Sequence, residues 1–380
     1  MALTRSHIVA GLSILTVVTA LIVLLAIQRS EPDEGPNSKP DKSPKSESNH
    51  PSSRVNKFRL PAPHVQLSAG PSNEVADAKR GPDAKAAELY AQFHVPKLTI
   101  EQAEKFVAEN QRSAASLVAA FRTSGEVSFL AEAMQKFPND PHVAFEALFK
   151  ADLPSEERRK WADALKQAAP DNALANYLSA QDYFKSGQTD LAVGELEAAF
   201  GKTKFNDLTL ERMQFNEEAY RANGFSEPKS RTTAMFQLPL PLLKEMRSLA
   251  ENTVELSRSY RQAGDTDSAD TAVAIAVKLG EQFRNSGNAL LVHQQLGMDI
   301  EQSALKTLDP AAVFAPAGKT SQALLDDLNA DRAALTNLVR ETVPLQDRMT
   351  PQDWIGYIDR MKLLGEPNAM RWLQTKFGPN

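Results

Sequence analysis

The chain has 380 residues, of which 42% are hydrophobic and 24% charged, and its formal net charge is −5. Lysine and arginine are interspersed with acids and form no basic stripe, so nucleic acid is not an expected partner. The sequence contains 0 cysteines, which excludes disulfides, thiolate metal sites and a cysteine nucleophile.

An uncharged apolar segment runs from Ile8 to Ile27. Its 20 residues, at about 1.5 Å per residue, match a hydrocarbon core of roughly 30 Å. We therefore predict a transmembrane signal-anchor helix over 8–27, which holds the chain in the membrane. A cleavable signal peptide is the alternative, because Val18-Thr19-Ala20 is similar to a cleavage site.

The flanking charges bear on the orientation of this segment. Arg5 precedes it, whereas four lysines and arginines follow between Arg29 and Lys45, and a strict count places the C-terminal side in the cytoplasm. A short N-terminal tail before one long domain is instead typical of a signal anchor that exports the domain. We expect a single-pass protein whose folded domain is extracytoplasmic, and periplasmic in a bacterium.

Residues 28–84 have the composition of a disordered linker, with 9 of the 23 prolines and few large apolar side chains. Such a segment cannot bury enough surface to offset the entropy lost on ordering. As a flexible chain, its ends would lie roughly 40 Å apart. We expect it to hold the folded part away from the membrane.

Helical spacing dominates from about residue 85 onward. Ile100, Ala103 and Phe106 recur at helical intervals after the start signal Thr99. Turn sequences at Pro138 and Pro170 separate the helices that follow. These patterns predict an all-α fold with helical hairpins over 85–281.

One spacing of an aromatic residue, a glycine and two alanines occurs twice, 77 residues apart. The residues are Tyr183, Gly187, Ala192 and Ala199 in the first segment, and Tyr260, Gly264, Ala269 and Ala276 in the second. Each segment predicts a helix ended by glycine, then a second helix whose alanines allow close packing. Asp190 and Asp267 are the expected caps of these second helices.

This pattern resembles the tetratricopeptide repeat. The small residue before the tyrosine is Ala180 or Ser257, and the large apolar position of the second helix is Leu196 or Val273. The sequence departs from the family where its early tryptophan is expected, and both segments lack its closing proline. The resemblance implies a helical-hairpin solenoid.

The resemblance also implies a concave groove, lined by the first helix of each hairpin, that binds a protein or peptide. Matched onto this chain, the peptide-binding positions are Tyr177, Gln181, Phe184, Lys185, Arg258 and Arg261, together with Val254. Arg258 and Arg261 lie three residues apart on one helix face, where they would together bind a carboxylate.

Further helices are predicted over 208–222, 239–249, 289–308 and 321–342, and two more at the C-terminus. Thr350, Pro351 and Asp353 are the start signal of the first C-terminal helix, and Gly365 is its end. We expect residues 282–380 to form a C-terminal helical region that covers the last hairpin of the solenoid.

The sequence offers no catalytic, cofactor or metal signature. Gly201-Lys202-Thr203 and Gly318-Lys319-Thr320 lack the earlier glycine of a phosphate-binding loop, and both are predicted to be turns. The histidines are scattered, and His293 lies in an apolar stretch typical of a structural histidine.

We predict a membrane-tethered scaffold that binds proteins and uses no cofactor. The alternatives are a single-pass regulator or sensor, and an enzyme whose site is assembled from distant residues.

Overall fold

The structure, a computed structural model, describes residues 95–150, 153–235, 240–286 and 289–378. This part of the chain is all-α, as predicted. The first eight helices are α1 Ile100–Glu109, α2 Ala114–Ser124, α3 Val127–Lys136, α4 Pro141–Leu148, α5 Ser155–Ala168, α6 Leu174–Lys185, α7 Thr189–Phe200 and α8 Thr209–Ala222. The remaining helices are α9 Glu227–Met235, α10 Leu240–Gln262, α11 Thr266–Arg284, α12 Leu291–Leu305, α13 Ser321–Thr342, α14 Pro351–Leu364 and α15 Glu366–Phe377.

Three short non-α elements interrupt the C-terminal half. Strands β1 Val313–Phe314 and β2 Lys319–Thr320 pair antiparallel just before α13. A 3-10 helix, Val343–Arg348, continues from the end of α13. The two strands form a single tight hairpin, which agrees with a turn at Gly318.

Several helix ends follow the predicted start and stop signals. Thr99 and Thr350 each form a capping box, with Gln102 and Asp353 respectively. Gly187 and Gly264, which end the first helices of the two similar segments, have φ values of +70° and +82°. Other residues rarely adopt such angles, so the glycines are required there by the backbone.

Three of the predicted local features are wrong. Asp190 and Asp267 lie inside the first turns of α7 and α11; Gln188 and Asp265 occupy the N-cap positions, and only the Asp265 side chain accepts a hydrogen bond there, from the Ser268 amide. The helix predicted over 239–249 is part of α10, which continues without a break to Gln262.

The two similar segments form adjacent hairpins. Helix α6 packs on α7 and α10 packs on α11, and the hairpins then contact each other through α6 with α10 and α7 with α11. Asn252 Nδ2 donates to Gln181 Oε1 at 3.1 Å, and Lys278 Nζ donates to the Phe200 carbonyl at 2.6 Å. The chain between the two hairpins does not continue along this contact; it forms α8 and α9 instead.

Helix α8 joins parts of the molecule that are distant in sequence. It packs on α2 and on α9, and α9 packs on α14. Met213 of α8 belongs to a hydrophobic cluster with α11–α15, whereas Ala219 and Tyr220 belong to another with α1–α3. Leu208, the residue before α8, belongs to a third cluster centred on α6 and α10. The α8 segment therefore contributes to all three clusters.

The boundary predicted at residue 281 falls inside α11, which ends at Arg284. One hydrophobic cluster includes Val277 before this position and Leu291 after it. The predicted signal anchor (8–27) and linker (28–84) lie outside the described residues. None of the helices in the described residues has the length and apolar character of a membrane span.

Candidate functional site

The predicted peptide-binding positions on α6 divide into buried and accessible residues. Tyr177 is fully buried, and its hydroxyl donates to Gln282 Oε1 of α11 at 2.7 Å. Gln181 is also buried, where it accepts from Asn252 of α10. Phe184 is half-buried, and Lys185 is exposed with an ion pair to Glu245. The face of α6 that was expected to line a groove is therefore largely covered by α10 and α11.

The predicted positions on α10 make different contacts from one another. Arg258 keeps 58% of its side chain exposed and pairs with Glu255 of the same helix. Arg261 donates to the Thr307 carbonyl and to Asp270, each at 2.7 Å. Val254 is buried. Because Arg261 has two partners and Arg258 has only a solvated one, the two guanidinium groups do not form a joint carboxylate site in this structure.

A cleft of about 450 Å³ lies where the α7–α8 loop, α8, the start of α12 and the end of α14 meet. We call it the Asp207–His293 cleft. Its apolar walls are Phe205, Leu210, Phe215 and Leu290. Its polar lining includes Asp207, Thr209, Glu211, Gln214, His293 and Lys362. A recess with apolar walls and a few fixed polar groups has the general character of a ligand site.

The loop that carries Asp207 is held in place by Asn172. The Asn172 side chain donates to the Asn206 carbonyl at 2.7 Å and accepts from the Asn206 amide at 3.0 Å. Asp207 Oδ1 in turn accepts from the Thr209 amide at 3.0 Å. Leu208 between them has φ +59° and ψ +11°, a left-handed conformation that is costly for a branched side chain. These contacts fix the carboxylate at the N-terminus of α8.

Asp207 faces His293 across the floor of the cleft. Asp207 Oδ2 and His293 Nε2 lie 3.2 Å apart, and their side chains are 12% and 4% exposed. These two atoms are close but lack hydrogen-bond geometry, and neither makes a hydrogen bond to another described residue; the buried Thr209 hydroxyl also makes none there. Burial lowers the pKa of His293, against the opposing effect of Asp207, and so favours a neutral imidazole. Unpaired buried polar groups are rare and costly in folded proteins.

The cleft lining also includes a lysine, Lys362, which pairs with Glu217, a carboxylate that Arg221 and Arg231 contact as well. Lys362 Nζ lies 2.5 Å from Glu217 Oε2 and donates to Gln214 Oε1 at 2.9 Å. Glu211 Oε1 accepts only an amide hydrogen bond, from Asn206 at 3.0 Å, among the contacts described. In the lining itself, the two acids Asp207 and Glu211 outnumber the single lysine Lys362, so the cleft has an excess of negative charge.

The sequence predicts a structural histidine at His293 but does not pair it with Asp207, because 86 positions separate them. The sequence feature that marks the site locally is the polar turn Asn206-Asp207, which precedes a predicted helix. The chain matches no protein-family model and no curated protein sequence. The similarity to tetratricopeptide repeats therefore remains a prediction from the residues alone.

Proposed function

We propose that this chain is a binding protein that recognises a protein or peptide partner and is held at a membrane by residues 8–27. The observation that carries the proposal is the Asp207–His293 cleft, which has a fixed polar floor and apolar walls. Recognition of a partner by a preformed recess costs little reorganisation, because its loop is already ordered by Asn172.

The helical framework supports the same function. The α6–α7 and α10–α11 hairpins pack directly against each other. Their packing holds the surfaces on both sides of the contact in a fixed arrangement. Of the residues that the tetratricopeptide resemblance implies, Phe184, Lys185 and Arg258 remain accessible for a partner. The cleft and this accessible set are two surfaces on which a partner can be sought.

Site-specific photo-crosslinking in cells distinguishes these surfaces. We would place the photoreactive residue at Glu218, which is exposed and accepts from the cleft residue Gln214, in one variant and at Arg258 in another. Lys105 on α1, with 68% of its side chain exposed, is the matched control position. We expect a discrete protein adduct at Glu218 that is absent at Lys105. No adduct at either Glu218 or Arg258 would contradict the proposed function.

The membrane attachment has its own test. Protease added to intact cells, or to spheroplasts of a bacterium, should digest the folded domain if residues 8–27 anchor an exported domain. Protection until the membrane is permeabilised would instead place the domain in the cytoplasm. Release of the domain into the medium would show that the apolar segment is a cleaved signal peptide.

A further inference from the structure

We propose that the Asp207–His293 cleft binds a primary ammonium group carried on an apolar body, with Asp207 as its counter-ion. This inference rests on the proposed function and names the chemistry that the cleft recognises. The ammonium belongs either to a lysine side chain of the protein partner or to a free amine.

The charge balance of the cleft favours a cationic ligand. Lys362 is the one basic residue of the lining and is held by Glu217, and burial favours the neutral form of His293. Asp207 and Glu211 then have no fully charged partner inside the cleft among the described residues. A carboxylate or phosphate ligand would meet two like charges, whereas an ammonium would complete the hydrogen bonding of a carboxylate.

The unpaired atoms indicate where a donor is needed. Asp207 and His293 each have a buried side-chain atom without a hydrogen bond in the described residues, and so does Thr209. Asp207 lines the cleft, and 12% of its side chain is accessible. An ammonium has three donors and no acceptor, which suits a floor of carboxylate and hydroxyl oxygens.

The apolar walls of the cleft suit the apolar body that carries the ammonium group. Phe205 and Phe215 are half-buried aromatic rings, and Leu210 and Leu290 add aliphatic surface. Aromatic rings attract a cation as well as an apolar chain. A volume of about 450 Å³ accommodates a small arylalkyl amine or the side chain of one lysine. A metal ion is a poorer match, because no group of three or more His, Cys, Asp or Glu residues suited to a metal occurs in the described part of the chain.

The test compares probes that differ in charge but share the same body. Phenethylammonium is titrated into the full chain, with 2-phenylethanol as the neutral control, and the Thr209 amide shift is followed by NMR. We expect saturable binding of the amine and at least tenfold weaker binding of the alcohol, as a charge-assisted hydrogen bond implies. Equal binding of the two probes, or binding of neither, would overturn the inference.

Two variants locate the charge that is recognised. Asp207→Asn keeps an oxygen for the Thr209 amide but loses the negative charge, and should weaken phenethylammonium binding at least tenfold. Asp267→Asn, in the exposed first turn of α11, is the matched control and should bind as the wild type does. If Asp207→Asn fails to fold, Glu211→Gln at the half-exposed cleft edge replaces it, with an expected loss of threefold or more. Unchanged affinity in the folded variant contradicts the inference.

The source of the ammonium is settled with a lysine-containing peptide flanked by apolar residues and its Nε-acetylated copy. Binding of the first alone indicates a lysine of a partner, and binding of phenethylammonium without either peptide indicates a free amine. A protein adduct at Glu218 that Asp207→Asn leaves unchanged would refute the ammonium assignment while the proposed function stands. Loss of the adduct in Asp207→Asn supports both.

Discussion

At the scale of single residues, two glycines set the distance between α11 and α12. A Cβ atom added at Gly280 would lie 2.6 Å from Glu301 Cγ and 2.6 Å from the Gly297 carbonyl oxygen. A Cβ at Gly297 would lie 2.5 Å from the Gly280 carbonyl oxygen. Backbone atoms cannot yield as a flexible side chain can, so the helices must separate to admit a methyl group.

We therefore expect Gly280→Ala and Gly297→Ala each to lower the free energy of unfolding by about 1–3 kcal/mol, as overpacked contacts do. Gly194 in α7 is the matched control, because a Cβ there meets no atom within 4 Å. Gly194→Ala should raise stability by about 0.5–1 kcal/mol through helix propensity. Urea denaturation measures all three variants, and a wild-type midpoint for Gly280→Ala would contradict the close crossing.

The alanines shared by the two similar segments are buried as predicted. Ala192 in α7 and Ala269 in α11 are both fully buried. Ala192→Leu and Ala269→Leu should each cost about 1–3 kcal/mol of stability, because the helix contact has no room for the larger side chain. Ala198→Leu on the exposed face of α7 is the control and should leave the melting temperature close to the wild-type value. Unchanged melting temperatures in both test variants would show that the alignment of the two segments is wrong.

At the scale of helices, α12 depends on a carboxyl group from another helix. Leu290 at its N-cap gives no side-chain hydrogen bond. Glu366, the first residue of α15, supplies one instead, since its Oε2 accepts from the Leu291 amide at 2.8 Å. Burial raises the pKa of Glu366 to about 7, and the hydrogen bond from Leu291 only partly opposes this. The folded protein therefore favours the protonated acid, whose carbonyl oxygen still accepts.

Stability should consequently depend on pH through Glu366. Its pKa is about 7 in the folded protein against an ordinary value of 4.5, so the folded state holds the proton more tightly. The resulting stabilisation is complete below pH 4.5 and is lost as the pH rises to about 7. The change amounts to about 3 kcal/mol at 1.36 kcal/mol per pH unit.

Glu366→Gln keeps the acceptor oxygen and removes the titration. Relative to the wild type, this variant should gain about 3 kcal/mol of stability between pH 4 and pH 8 in urea denaturation. Glu301 has a raised pKa in the same range, but it is present in both proteins and cancels in the difference. Glu227→Gln in the exposed first turn of α9 is the matched control. A Glu366→Gln difference that does not vary with pH would contradict this account.

Helix boundaries with local causes were predictable from the sequence, and contacts between distant helices were not. Thr99, Thr350 and Gly365 act within a few residues, so their patterns located the ends of α1 and α14. The burial of Tyr177 depends on α11, whose Gln282 lies 105 positions away. The cleft likewise needs the α7–α8 loop and α12 to meet. Hydrophobic periodicity predicts the type and buried face of one helix, and does not predict which distant segments come into contact.

At the scale of the molecule, α8 connects clusters that would otherwise belong to separate parts of the chain. Tyr220 packs among α1–α3 residues, and its hydroxyl donates to the Pro96 carbonyl at 2.9 Å. Seven positions earlier, Met213 belongs to the cluster that contains Trp354. The same rigid helix thus links the N-terminal helices to the C-terminal ones, and we expect the described helices to unfold as one cooperative unit.

Tyr220→Ala tests this cooperativity. Removing a fully buried aromatic side chain should cost about 3–5 kcal/mol, whereas the control Tyr220→Phe keeps the ring and loses the hydroxyl hydrogen bond to Pro96, worth about 0.5–1.5 kcal/mol. In a background with Trp161→Phe and Trp372→Phe, Trp354 reports on the C-terminal cluster alone, where it is buried. Its fluorescence transition should shift together with the circular dichroism transition. The reason is that α8 belongs to both clusters, so a loss of stability in the cluster of Tyr220 also destabilises the cluster of Trp354. If Trp354 kept its wild-type midpoint while helicity was lost earlier, the N-terminal helices would be a separate folding unit and α8 would not couple the two ends.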